Sequence, residues 1–326
     1  GRFFARLFLS EARSGPHASK TPKQGRRRGS MGQTCTNGAA DVGAYLLITP
    51  PQVQRKWGWK RDPADHRDRV LRYSTALGES LPRKVDLRPR EHFPVYDQGH
   101  LGSCTANALA AAFHFAQIRQ GLPGFVPSRL FIYFNEREME GHIDEDKGAY
   151  LRDGAKALCK QGVCNEVLWP YIEGEFATRP NRDAYTMAAK NKALEYARVP
   201  HTLEDMKACI SSGFPFAFGF IVFSSFMSKS TASTGKVSMP NPCCGCDKPL
   251  GGHAVLACGY DDDREVFIVR NSWSDSWGDK GYFYLPYYYM ATLSNDLWAI
   301  KFVERGNFPT DESEKARKFK GRSGCC

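Results

Sequence analysis

Between Gln98 and Phe115 the chain reads Gln-Gly-His-Leu-Gly-Ser-Cys-Thr-Ala-Asn-Ala-Leu-Ala-Ala-Ala-Phe-His-Phe, and this stretch constrains the fold more than any other. A glycine-spaced turn feeds an alanine-rich segment of high helix propensity, which predicts a helix that starts at or beside Cys104. A thiol at that end meets the positive pole of the helix dipole and unpaired backbone N–H groups, and both favour the thiolate. A thiolate among amide donors can attack a carbonyl and have the developing oxyanion held as it forms. Gln98, six residues upstream of Cys104, is the candidate side-chain donor.

Such a nucleophile needs a base, and the base needs something to orient it. His253 opens an apolar, strand-like run that continues to Tyr260, and Asn271 follows the next such run, Glu265 to Arg270. A cysteine taken alone is more often a small buried hydrophobe than a nucleophile. Four role-bearing residues in the order Gln, Cys, His, Asn, each inside its own local motif, reverse that expectation. The bland alternative is the same fold without activity.

With these residues the chain resembles the papain-like cysteine peptidases, and the 149 residues from Cys104 to His253 match the separation expected of them. The resemblance implies an α+β fold of two lobes, a helical one carrying Cys104 and a β-rich one carrying His253 and Asn271, with the cleft between. It implies Cys104 as nucleophile, His253 as its partner and Asn271 as the imidazole holder. Gln98 and the Cys104 amide would form the oxyanion hole, and Trp273 and Trp277 would shield the His–Asn bond. Candidate substrate contacts are Gly102, Ser103, Gly148, Ala149 and Trp277; small residues at 148 and 149 would let an extended peptide approach the backbone. The chain departs from the family pattern where Leu101 and Asp146 replace the two cysteines of the usual active-site bridge, and where Thr105 replaces an aromatic residue. Those departures, with the Gly58-Trp59 and Asp65-His66-Arg67-Asp68 leader, are similar to a bacterial and viral branch of the family. The leader does not resemble the helical inhibitory prosegment of cathepsins, which argues against activation by its removal.

The chain has 326 residues, 42% of them hydrophobic, enough for one large enzyme domain with extensions. Its net charge of +10 divides into +7 on residues 1–30, +2 on residues 306–326 and only +1 on the body between, so the body carries no basic patch for nucleic acid. Residues 1–30 read as a basic extension, disordered or targeting, and 31–80 as a leader. The catalytic domain is expected over 81–305, followed by a polybasic tail over 306–326. Gly32 and Cys35 after Met31 fit a myristoylation and palmitoylation pattern, and Cys325 and Cys326 end the chain as prenylated tails do. These ends offer peripheral membrane attachment, against the plainer alternative of solvated termini. Eleven cysteines do not make a dense disulfide framework, which fits an intracellular, cytoplasmic setting rather than secretion. Cys243, Cys244 and Cys246 form a cluster with one C-x2-C pair and no second pair at zinc-ribbon spacing, so a surface loop is favoured over a metal site.

Helices are expected over Pro127–Glu138, Leu151–Gln161, Asn181–Lys192 and Thr202–Ser211. Strands are expected over Ala193–Val199, Phe214–Phe223, Gly252–Tyr260, Glu265–Arg270 and Gly281–Leu285. The function expected is that of a cysteine endopeptidase working through a thiol acyl-enzyme, with a peptide or protein as substrate and no cofactor. The alternatives are an exopeptidase, amidase or transpeptidase on the same machinery, or an inactive membrane-tethered peptide-binding protein.

Overall fold

The alanine-rich stretch forms α1, Cys104–Arg119, and every residue from Cys104 to Gln117 is buried. A helix without a polar face must be enclosed on all sides. In the computed structural model, which describes residues 55–71, 80–88, 93–241 and 245–304, α1 is packed between two more helices and a sheet. The helices are α2, Arg129–Glu140, and α3, Leu151–Lys160. The Ser128 hydroxyl opens α2 by accepting the Phe131 N–H, and Gly141 closes it in the left-handed conformation at φ 78°. The described residues belong to one compact unit, Pro51–Cys326.

Two short helices, α4 (Arg182–Ala188) and α5 (Leu203–Ser211), are capped by Asn181 and Thr202. Around them stand β4 (Ala193–Arg198), β5 (Phe216–Phe223), β6 (Pro249–Asp261), β7 (Val266–Arg270) and β8 (Tyr282–Pro286). These strands lie within or close to the runs read from the sequence. Further elements were not expected, among them α6 (Lys229–Thr234), α7 (Tyr287–Leu293) and β9 (Ser294–Val303). The last is central, because the sheet order is β4-β9-β5-β6-β7-β8, all neighbours antiparallel. A strand β2 (Lys84–Asp86) adds to the far end of β6.

The start of β6 lies beside β5, so His253 pairs with Phe220. Phe216, Phe218 and Phe220 alternate along β5 with Ala217 and Gly219, and all five are buried. In β5 the aromatic set fills the core beneath His253, while the small set leaves room on the opposite face. The leader also contributes structure. Two of its residues, β1 (Trp59–Lys60), pair in parallel with β3 (Ala149–Tyr150), with Trp59 opposite Ala149.

Residues 1–54, 72–79 and 305–326 lie outside the described residues, and with them the basic extension, the tail and the lipidation candidates Gly32, Cys35, Cys325 and Cys326. Cys243 and Cys244 do so as well. Cys246 is disulfide-bonded, which removes its sulfur from the metal pair that the spacing allowed. Among the described residues no helix is long and apolar enough to cross a membrane, and no group of acidic, His and Cys side chains is placed to hold a metal.

Candidate active site

Cys104 is the first residue of α1, where the helix begins after Ser103. Backbone N–H groups of Ala254, Gly58 and Thr105 face its sulfur. The first of these follows His253 directly, so β6 brings the imidazole to the start of α1. His253 Nε2 lies 2.9 Å from Asn271 Oδ1. That oxygen also accepts the Ser272 N–H at 2.9 Å, which fixes it as an acceptor. The proton on the ring therefore sits on Nε2, and Nδ1 keeps a free lone pair. Nδ1 is buried and makes no hydrogen bond.

Aromatic rings enclose the His–Asn pair. Trp273 stacks on His253 with centroids 4.9 Å apart, and Trp277 meets Trp273 edge-on at 5.0 Å. Gln98 is held from behind: its Oε1 accepts the Ser272 hydroxyl at 2.8 Å and the Trp273 indole N–H at 3.2 Å. Those two donors turn the amide N–H groups forward, where Nε2 donates to Leu101 O at 2.9 Å and reaches Lys56 O at 3.5 Å. Thr105, in the place of the expected aromatic, donates its hydroxyl to Glu136 Oε1 at 2.6 Å. Burial raises the Glu136 carboxyl well above its usual range, and the pair packs under the start of α1.

Of the candidate substrate contacts, Gly148 and Ala149 are buried, and the edge they form is already paired with the leader. The Ala149 N–H donates to Gly58 O at 2.8 Å. Gly102 is anchored from its N–H to Asp146 Oδ1 at 2.9 Å, so the residue replacing a bridge cysteine holds the same loop by hydrogen bonds. Ser103 does not fit the expected role through its side chain. Its hydroxyl points inward to the Tyr171 hydroxyl at 2.5 Å and the Asn107 amide at 3.1 Å, and the residue is fully buried. Trp277 packs between Trp273, Phe226 and Phe283 as part of the shield.

The group that sequence reasoning missed is the chain's own leader. Residues 55–60 lie across the site as a strap. Gly58 touches Gly102 and Gly148 so closely that a Cβ on it would fall 1.7 Å from Gly102 O. Trp57 lies edge-on to His253 at 6.1 Å. Three strap cations meet acids of the body: Arg55 with Asp97 at 2.5 Å, Lys56 with Asp146 at 2.7 Å and Lys60 with Glu140 at 3.0 Å. Further on, Asp62 accepts the Trp298 indole N–H at 2.8 Å and pairs with Arg198 at 3.1 Å. The available signal was Trp57-Gly58-Trp59 between cations: two large side chains about a residue able to lie flat on another backbone.

The strap changes the chemistry as well as the access. Cys104 and His253 have no exposed surface. Burial pushes the Cys104 thiol up to about 12 against the three N–H groups that favour its anion, and burial pushes His253 down to about 4. The helix-terminus argument alone pointed to a thiolate. In this closed form desolvation outweighs it, and the pair is neutral thiol beside neutral imidazole.

Among family models, that of the papain family cysteine proteases matches residues 81–290. The chain belongs to the papain family of cysteine peptidases. It is 39% identical over 277 residues to a peptidase C1-like protein of Acanthamoeba polyphaga mimivirus, covering 77% of this chain and 88% of that protein. It is 26% identical to pro-cathepsin H of Bos taurus, over 71% of this chain and 67% of that protein. Xylellain, a cysteine protease from Xylella fastidiosa, has a crystal structure that superposes with a TM-score of 0.71 and 42% identity, covering 76% of this chain and 96% of that one. The α+β papain-like fold expected from the sequence is thus present, and the chain is a thiol hydrolase whose substrates are peptides or proteins.

Proposed function

We propose that this cysteine peptidase is an endopeptidase with Cys104 as nucleophile, His253 as proton carrier, Asn271 as imidazole holder, and Gln98 with the Cys104 amide as the oxyanion hole. Proton transfer from Cys104 Sγ to His253 Nδ1 gives the thiolate, which attacks the carbonyl carbon of the scissile bond. His253 returns the proton to the leaving amine, and a thioester remains. Water then loses a proton to His253 and attacks the thioester, releasing the acid and restoring the thiol. The observation that carries this reading is the held imidazole: Nε2 bonded to Asn271 at 2.9 Å with the buried Nδ1 left unpaired. The Gly148-Ala149 edge and Gly102 would receive the substrate backbone where Gly58 now lies, so the strap must leave before turnover.

A cleavage profile on a diverse peptide library tests the reading, with Cys104→Ala and a thiol-directed epoxide as controls. Fragments from internal bonds are expected; single residues released only from one end would point to an exopeptidase. Activity surviving Cys104→Ala would sink the mechanism. The intracellular setting and membrane attachment through Gly32, Cys35, Cys325 and Cys326 rest on sequence pattern alone. Fractionation of the full chain against a Cys325→Ser, Cys326→Ser double variant tests the C-terminal anchor.

A further inference from the structure

The two donors of the oxyanion hole sit at opposite ends of a loop that has little stiffness of its own. From Gln98 to Cys104 the chain passes through Gly99, at φ 57°, and Gly102, and no cysteine before Cys104 itself ties it by a disulfide. Its start is held from the β-rich side, where the Gln98 N–H donates to Ser272 O at 2.9 Å, and its end runs into α1. One end is fixed against the other by a side chain from far downstream. The Tyr171 hydroxyl lies 2.8 Å from Gln98 O and 2.5 Å from Ser103 Oγ, the residue just before the nucleophile. The same carbonyl takes the Leu101 N–H at a longer 3.3 Å.

The direction of each bond follows from its neighbours. Asn107 Oδ1 faces the Arg129 guanidinium at 3.3 Å, which orients the amide and leaves its nitrogen to donate to Ser103 O at 2.9 Å and Ser103 Oγ at 3.1 Å. Gln98 O can only accept, so the Tyr171 proton goes to it and the Tyr171 oxygen accepts the Ser103 proton. Donation therefore runs from Asn107 to Ser103 to Tyr171 to Gln98, with each hydroxyl accepting once and donating once. Ser103 and Gln98 have no exposed surface, so water does not replace these bonds. Arg129 holds the phenol in place: its guanidinium carbon is 4.0 Å from the ring centre, its fork grips Glu166 at 2.8 and 2.6 Å, and it donates to Asp97 O at 2.8 Å. Burial raises the Tyr171 phenol above its ordinary range, which keeps its proton on Gln98 O through the neutral range.

We propose that Tyr171 is a positioning residue for the oxyanion hole, its hydroxyl clamping the Gln98 backbone to Ser103 and so setting the distance between the Gln98 side-chain N–H and the Cys104 amide. Two donors stabilise an oxyanion fully only when both meet the same oxygen, so a loosened loop is felt in the transition state rather than in substrate binding. The proposal rests on the endopeptidase reading for the role of Gln98.

The test compares the full chain with its Tyr171→Phe variant, which keeps the ring against Arg129 and deletes the hydroxyl. Hydrolysis of a peptide builds an oxyanion; alkylation of Cys104 by iodoacetamide displaces iodide at a saturated carbon and builds none. Both wait on the same opening of the strap, so the ratio of their rates cancels it. Tyr171→Phe is expected to lower kcat roughly tenfold to a hundredfold, with KM and the alkylation rate nearly unchanged. In a Gln98→Ala background, where one donor is already gone, the Tyr171→Phe factor should shrink. Hydrogen exchange over residues 99–104, corrected for intrinsic rates, should be faster without the hydroxyl. An unchanged kcat, an equal fall in hydrolysis and alkylation, an undiminished factor in the Gln98→Ala chain, or unaltered exchange would each overturn the proposal. A chain that releases no internal fragments while its exchange still responds to Tyr171→Phe would support the clamp and count against the endopeptidase reading alone.

Discussion

At Cys104 two effects pull in opposite directions. The start of α1 and three backbone N–H groups favour a thiolate, while complete burial disfavours it and prevails, with the thiol at about 12 and His253 at about 4. Iodoacetamide should therefore modify Cys104 of the closed chain slowly at neutral pH, with a rate that keeps climbing through the alkaline range instead of levelling off near neutrality. A plateau below pH 8, read from the pH profile of alkylation, would contradict the neutral pair. Once the site is open, the roles separate by size of effect. His253→Ala removes the proton carrier and is expected to cost roughly a hundredfold to ten-thousandfold in kcat. Asn271→Ala should cost less, because the imidazole keeps its chemistry and loses only its orientation. Steady-state kinetics on both variants, with circular dichroism to show the fold kept, checks the order.

The elements that carry these residues were largely legible in the chain, and the reasons are physical. α1 announces itself by alanine content, α2 by a serine cap followed by apolar spacing, and β5 to β8 by apolar runs bounded by glycine and charge. β9 did not, because Ser294, Asn295 and Asp296 open it with polar residues, and the Asp296 carboxylate finds its partners, Trp59, Asp62 and Arg198, far away in sequence. The leader failed for the same reason: its charges and tryptophans look like a solvated segment until the acids of the body are placed opposite them. Asp62 gives the leader a pH dependence of definite sign. Burial first, and then the charge of Asp296, raises its carboxyl from an ordinary 3.8 to about 6. A carboxyl raised in the docked state takes up a proton on docking. Its contribution is thus fully present below about 4 and is lost as pH rises through 6, by at most about 3 kcal/mol. From this group alone, acidification from pH 7 to 5 tightens the strap rather than releasing it. Hydrogen exchange of residues 55–62, corrected for intrinsic rates, should show more protection at pH 5 than at pH 7, and Asp62→Asn should flatten the difference. Greater protection at pH 7 would refute it.

For the molecule as a whole, access to the cleft turns on one point where three glycines meet. Gly58 of the strap lies against Gly102 and Gly148 of the body; a Cβ on Gly58 would fall 1.7 Å from Gly102 O, and one on Gly148 would fall 2.0 Å from Gly58 O. The body cannot yield here. Gly102 is tied to Asp146 and leads directly into α1, and Gly148 sits at φ 72° at the edge that continues into α3. The strap can yield, since its hold on the body includes two ion pairs, Arg55–Asp97 and Lys56–Asp146, in each of which one partner is half-exposed to solvent and the attraction is screened. Gly58→Val should therefore displace the strap and leave the body folded, with far-ultraviolet circular dichroism unchanged. With water readmitted, the penalty on the Cys104 anion falls while the helix start and the Ala254 and Thr105 N–H groups remain. Alkylation of Cys104 at pH 7 is expected to rise at least about tenfold, more than a unit of pKa recovered, and hydrolysis of added peptide should rise with it. Gly174→Val is the matched control, because a side chain at Gly174 meets nothing within 4 Å. If Gly58→Val reacts at the rate of the unaltered chain, the strap does not govern access to Cys104.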